Sequence, residues 1–369
     1  MERMSKRSPW SKSPALPIAE ASAPSSKRLP RRRPLLEIVF VALVLGLTWY
    51  LFFGRHSQPA DVGPSPERSR PIANQTGELE LLPCSEITGA KDTVVVLKTG
   101  AAELEERLPI HFETTLRCFP NRLIFSDFRE EYQGHTVFDA IENIDFKRKA
   151  FHADLDLWRR LRDGGPDVLS DEEMWDADRT TANLDKWKYL LMINQTLHEY
   201  PSKKWYVFLP TDAFVFWNNL LPMLRSYHYD EPWFFASQAP ETSLAELEGG
   251  FALSQAAVQA VVKMFRADYE NWQQRADYHP SGASILGTAL AEAGVNLSDA
   301  WPLFQSRSPG SIDWFETRHG RKPWCYLTIS WGKVSPETIR EMWKFQQDWI
   351  KEQVSSLSIT KSLQWLLTN

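Results

Sequence analysis

The 369-residue sequence has few cysteines and no local pattern typical of a common catalytic or metal site. Three cysteines are too few for a small fold held by disulfides. No Cys-x-x-Cys pair occurs, the eight histidines lack metal-ligand spacing, and there is no nucleophile elbow or phosphate-binding loop. With 42 Lys and Arg against 47 Asp and Glu, no nucleic-acid partner is expected. A composition of 43% hydrophobic and 24% charged residues instead indicates a globular protein.

The average charge hides a basic amino terminus. Residues 1–34 contain nine Lys and Arg and two acids, a net charge of +7, so the rest of the chain carries −12. This segment is rich in Ser and Pro, as disordered tails are. The 19 residues at 35–53 contain a single charge, Glu37, and as a helix they would extend roughly 28 Å, about one hydrocarbon core. The sequence therefore predicts a single transmembrane signal anchor.

The residues around this span predict its orientation. The arginines at 31–33 place the amino terminus in the cytoplasm, and Trp49 and Tyr50 suit the membrane interface. We expect a basic cytoplasmic tail at 1–34, the anchor at 35–53, a polar, Pro-rich stem at 54–77 and a lumenal domain at 78–369. The three glycosylation sequons all follow the span, as this topology requires: Asn74, Asn194 and Asn296.

A lumenal domain also permits a disulfide. The cysteines Cys84, Cys118 and Cys325 allow three single pairings, and the sequence leaves all three open.

Short apolar runs alternating with helical patterns predict an α/β fold. The runs at 93–97, 123–125 and 205–209 are typical of buried strands, and 184–197 and 219–227 are typical of helices. This alternation favours a mixed, mainly parallel sheet covered on both faces. A last helix is expected to begin after Ser335, with one apolar face that packs inward: Ile339, Met342, Trp343, Ile350 and Val354.

Two aspartates follow apolar runs, at the edge of a sheet where ligands gather in open α/β folds. Asp127 comes after the second run, and Asp212 follows the third in Pro210-Thr211-Asp212. A pair of carboxylates there would hold a divalent cation, but an aspartate in a turn or helix cap explains Asp212 as well. Two literal Asp-x-Asp strings, at 154–156 and 176–178, follow no buried run, and we expect both to be solvated surface.

Two further features have a functional and a structural interpretation. Gly249 and Gly250 would let the backbone approach a ligand closely, or form a simple turn. Trp301, Trp314 and Trp324 would stack on a sugar, although core packing is the default expectation for tryptophan.

In their order along the chain, these motifs resemble fungal glycosyltransferase family 31, the Fringe-like group. The likeness covers about residues 90–350. It rests on a series of short strings: Leu97-Lys-Thr-Gly100, Ile124-Phe-Ser-Asp127, Leu184-Asp-Lys-Trp-Lys188, Lys204-Trp-Tyr-Val-Phe-Leu209, Trp217-Asn-Asn-Leu-Leu221, Gly249-Gly250-Phe251-Ala-Leu-Ser254, Ala300-Trp-Pro-Leu-Phe-Gln305, Trp324-Cys325 and Val334-Ser-Pro336.

The resemblance implies a GT-A fold and a Golgi type II membrane enzyme that transfers a sugar from a UDP-sugar to a glycan acceptor with inversion. It also implies Mn²⁺, bound through Asp212, and other Golgi transferases as partners. The residues it assigns to the nucleotide-sugar are Lys98, Thr99, Asp127, Lys186, Asp212, Gly249 and Gly250.

The chain departs from the family pattern at three positions. Pro210 stands where the family has the first acid of its metal motif, and Ala283 stands where its general base is expected. Gly332-Lys333 replaces a histidine that is a metal ligand in the family. Lys333 would supply positive charge near the diphosphate in place of the metal. Two hypotheses therefore stay open: a weak or metal-independent transferase, and an inactive relative that acts as a lumenal binding or partner protein.

Overall fold

The apolar runs of the sequence form the centre of a nine-stranded mixed sheet in the computed structural model, which describes residues 72–73, 79–80, 83–170 and 177–368. The strands β1 to β14 are, in order, Ile72–Ala73, Leu79–Glu80, Thr93–Lys98, Asn121–Ser126, Glu130–Tyr132, His135–Asp139, Trp205–Pro210, Phe214–Val215, Phe234–Gln238, Ala245–Glu246, Phe251–Ser254, Leu297–Asp299, Phe304–Gln305 and Ser330–Trp331.

The centre of the sheet is parallel. Strands β7, β3, β4 and β6 lie side by side in this order and run in one direction. Beyond β7, the strands β11 and β9 pair antiparallel, while β12 returns parallel to β9. The prediction of an α/β fold with a mixed, largely parallel sheet is confirmed, as are the three predicted strands at its centre.

Helices cover both faces of this sheet. The helices α1 to α11 are Leu104–Arg107, Pro109–Glu113, Thr115–Cys118, Phe146–Phe151, Asp156–Gly164, Ala177–Glu199, Trp217–Arg225, Gln255–Ala267, Tyr269–Ala276, Gly282–Glu292 and Pro336–Thr368. Short 3-10 helices lie at Cys84–Glu86, Ala153–Leu155, Pro166–Ser170 and Pro323–Cys325.

Strand β3 shows why both faces must be covered. Val94 and Val96 pack on the side of α6, α8 and α10, whereas Val95 and Leu97 pack on the side of α1, α3 and α7. All four side chains are fully buried. Because alternate residues of a strand face opposite ways, a continuous apolar run requires an apolar partner on each side.

The carboxy-terminal helix begins as the sequence predicts. The Ser335 hydroxyl accepts a hydrogen bond from the Thr338 amide at 3.3 Å, and Pro336 occupies the first helical position. The inward face is confirmed for four residues, of which Ile339 is fully buried and the others partly so: Ile339, Met342, Trp343 and Ile350. The fifth, Val354, lies outside the described side chains.

The predicted tail at 1–34 and span at 35–53 lie outside the described residues, as do Asp176 of the second Asp-x-Asp string and Asn74. Among the helices of the described part, none combines the length and apolar character needed to cross a bilayer.

The structure joins Cys84 to Cys118 by a disulfide and leaves Cys325 as an exposed thiol. This decides between the three pairings that the sequence left open. The bond ties the 3-10 helix Cys84–Glu86 to α3.

Two expectations about exposure are wrong. Asp154 is not solvated surface, because its carboxylate is only 15% exposed, lies 2.6 Å from Lys186 Nζ and accepts a hydrogen bond from the Trp187 indole. Trp301 is buried in the core, as expected, and is 3% exposed. Trp314 and Trp324 are not core residues, since they are 40% and 60% exposed.

Candidate functional site

The candidate site lies at a topological switch point of the sheet. The chain leaves β3 to form β4 on one side and later returns to form β7 on the other. The carboxyl ends of these strands therefore diverge around Lys98 and Thr99. Ligands of open α/β sheets bind in the crevice at such a point. The Thr211 hydroxyl, just after β7, donates to the Thr99 hydroxyl at 3.2 Å across this crevice.

A network of ion pairs fills the base of the crevice. Helix α6 contributes Asp185, which pairs with Lys98, and Lys188, whose Nζ lies 3.3 Å from Asp185 Oδ1. Lys188 also lies 3.7 Å from Asp127 Oδ2 and donates to the Thr99 carbonyl at 3.4 Å. Asp127 is held in turn by the Ala101 amide. The network thus joins the ends of β3 and β4 to α6.

The pairing of Lys98 with Asp185 keeps these two side chains charged. Burial alone acts to lower the pKa of Lys98, but the Asp185 carboxylate together with Tyr189 and Glu103 outweighs it, and the pKa is raised. Burial alone acts to raise the pKa of Asp185, but Lys98 and Lys188 outweigh it, and that pKa is lowered. Lys98 therefore remains a cation at the crevice.

Asp212 has a cation as its partner, not a second acid. Its Oδ2 lies 3.8 Å from Arg107 on α1, and Arg107 also lies 3.2 Å from Glu103. Burial raises the pKa of Asp212 and of Glu103, with Arg107 acting in the opposite direction in both. Both carboxyl groups therefore hold a proton more readily than exposed acids do.

The donor set around Asp212 does not fit a divalent cation such as Mn²⁺. Such an ion prefers several oxygen ligands, and Asp212 faces a guanidinium. Among the described residues, no group of three His, Cys, Asp or Glu side chains is placed to share a metal.

Lys333 lies beside Asp212. The amide of the next residue, Val334, donates to the Asp212 carbonyl at 2.9 Å. The Lys333 ammonium is exposed and lies 3.8 Å from Glu248 Oε1. The Lys333 ammonium thus lies by Glu248, on a segment whose backbone bonds to Asp212.

Gly249 and Gly250 allow neighbouring segments of the chain to pack closely against them. A Cβ on Gly249 would lie 2.4 Å from the Gln305 carbonyl oxygen. Gly250 has a φ of +81°, and a Cβ there would lie 2.4 Å from Leu209 Cδ2 and 2.7 Å from the Phe208 carbonyl oxygen. A larger residue would therefore push the segment away from β7, at the crevice.

The structure brings together most of the sequence-predicted site residues but not all. Lys98, Thr99, Asp127 and Asp212 meet at the strand ends, Gly250 lies beside β7, and Gly249 lies against the Gln305 backbone. Lys186 instead pairs with Asp154 away from the crevice. Ala283 lies in the first turn of α10, whose Gly282 abuts the Tyr189 ring and the Asp185 carbonyl.

Sequence reasoning missed Asp185 and Arg107. Asp185 had a signal, because it precedes Lys188 by three residues in a predicted helix and so shares its face. Arg107 had none, because it lies on a four-residue helix and reaches Asp212 only through the fold.

No protein-family model matches this sequence, and no curated protein matches it either.

Proposed function

We propose that this protein is a Golgi type II membrane glycosyltransferase that transfers a sugar from a UDP-sugar to a glycan acceptor, with inversion and without a tightly bound metal. The observation that carries the proposal is the switch point of the sheet, where Lys98, Thr99, Thr211 and Asp212 lie together at neighbouring strand ends. The resemblance to family 31 supports the choice of UDP-sugar and of a GT-A fold.

In the proposed reaction, an acceptor hydroxyl oxygen loses its proton to solvent water and bonds to the anomeric carbon, while the bond from that carbon to the diphosphate breaks and UDP leaves. Negative charge develops on the departing diphosphate. Lys98, Arg107 and Lys333 are the cations that would stabilise it, because positive charge placed where negative charge develops lowers the energy of the transition state.

The disulfide supports a lumenal position for the domain. Disulfides persist in oxidising compartments, and the Cys84–Cys118 bond closes within the part of the chain that follows the predicted anchor. The cytoplasmic tail, the anchor at 35–53 and association with other Golgi transferases remain predictions from the sequence.

An inactive lumenal binding protein is the second candidate function. The hydroxyl proton of the acceptor must pass to a base, and Ala283 supplies none at the position where the family has one. A general base contributes about 10²–10⁴-fold to the rate, so its loss alone would leave a very slow enzyme.

The deciding experiment uses the full-length protein in detergent. UDP binding is measured by calorimetry, and UDP release is measured from a panel of UDP-sugars with EDTA or with Mn²⁺. We expect binding and release that persist in EDTA and are abolished by Lys333→Ala, while Lys91→Ala, another exposed lysine in an ion pair, leaves both unchanged. Absence of UDP binding would refute the transferase, and binding without release would favour the inactive relative.

A further inference from the structure

A cleft is lined by residues of β10 and β13 and of the loop that follows β13. Trp301 and Gln305 are buried in its wall, and Glu246 at the end of β10 lines it together with Asp313 and Arg318. None of these residues belongs to the ion-pair network at the strand ends.

The polar groups of the cleft are held in place before any ligand binds. The Glu246 carboxylate accepts hydrogen bonds from the hydroxyls of Ser306 and, at 3.3 Å, Ser237, both of which are buried. Arg318 lies over the Trp301 ring at 4.8 Å, pairs with Glu316 and donates to the Gln238 carbonyl. The cleft therefore presents a fixed acceptor and a fixed donor.

Large aromatic rings are exposed near this cleft. Pro323 lines the cleft, and Trp324, the next residue, is 60% exposed. Phe315 is 83% exposed and lies between the lining residues Asp313 and Glu316. Exposed apolar rings beside a polar cleft indicate a binding surface, since an aromatic face packs well on the C–H face of a sugar ring.

A short segment connects the cleft to the crevice. The Gly332 amide donates to the Gln305 carbonyl at 2.7 Å, and the Val334 amide donates to the Asp212 carbonyl at 2.9 Å. Two residues of chain span at most about 7 Å, so these two carbonyls lie within about 13 Å of each other. Gln305 in the wall of the cleft and Asp212 at the crevice are therefore close in space.

We propose that the cleft lined by Glu246, Trp301 and Arg318 binds the saccharide acceptor, an inference that rests on the proposed transferase function. Three carboxylates and two guanidinium groups line it, a near balance that favours a neutral, polyhydroxylated ligand over a phosphorylated one. Hydroxyl groups both donate and accept, which matches the fixed carboxylate of Glu246 and the guanidinium of Arg318.

The test separates acceptor binding from nucleotide binding. Full-length protein in detergent is applied to an array of neutral oligosaccharides that end in galactose, glucose, mannose or N-acetylglucosamine, and UDP binding is measured in parallel. We expect binding to a subset of the array, reduced about tenfold or more by Glu246→Gln and by Trp324→Ala, with UDP binding unchanged. The matched control is Phe345→Ala, which removes an exposed ring from α11 and should change neither.

The other outcomes are distinct. Lack of wild-type binding to any saccharide, or binding that neither Glu246→Gln nor Trp324→Ala weakens, would overturn the acceptor cleft. Absence of UDP binding by the wild type would instead refute the proposed function. Saccharide binding in the cleft without UDP binding would retain the cleft as a lectin-like site.

Discussion

Replacement of Lys188 by methionine should destabilise the protein strongly. The side chains of Lys188 and Asp127 are 1% and 2% exposed, and Lys188 is the cation that lies 3.7 Å from the Asp127 carboxylate. Methionine keeps much of the apolar stem, so the variant chiefly removes the charge. Breaking a buried ion pair from one side costs about 3–5 kcal/mol, because the remaining charge stays buried without its partner. We expect a loss of this size in the free energy of unfolding.

Urea denaturation followed by tryptophan fluorescence measures this loss. Lys204→Met is the matched control, since Lys204 pairs with Asp92 at 2.8 Å but both side chains are more than 40% exposed, and such surface pairs are worth up to about 1 kcal/mol. Adding Asp127→Asn to Lys188→Met should restore part of the loss by removing the orphaned charge. Equal effects of the two lysine substitutions would refute the reasoning, because they would show that burial of the pair does not matter.

Three further predictions concern stability. Burial lowers the pKa of His111 to about 4, so below pH 6.5 the unfolded chain binds a proton that the folded chain excludes. The free energy of unfolding should therefore be intact above pH 6.5 and about 2 kcal/mol lower at pH 5. Urea denaturation curves of His111→Gln should lack this pH-dependent loss. Cys84→Ser opens a disulfide across a sequence separation of 34 and should cost about 4 kcal/mol in urea unfolding, whereas Cys325→Ser should cost nothing measurable. Gly250→Ala, at a φ of +81° and against β7, should lower stability by more than about 1 kcal/mol, and a thermal melt no different from that of Gly310→Ala would contradict this.

The candidate site shows where sequence reasoning reached its limit. Asp127 and Asp212 were predicted at strand ends, because an apolar run and the polar residue that closes it are neighbours in the chain. Their partners were not predicted. Arg107 reaches Asp212 across about a hundred residues of sequence, and Lys186 was assigned to the site although its neighbour Asp185 is the residue that faces Lys98. One position along a helix changes the direction of a side chain by about 100°.

The sequence by itself determined the strands at the centre of the sheet and the start of the last helix. These depend on local signals: a continuous run such as 93–98, or a serine followed by a proline. Only the tertiary structure decided which carboxylate neutralises which cation, that Cys84 bonds with Cys118, and that Trp324 faces solvent. Each of these depends on which distant segments the sheet brings together, and local hydrophobicity carries no information about such pairings.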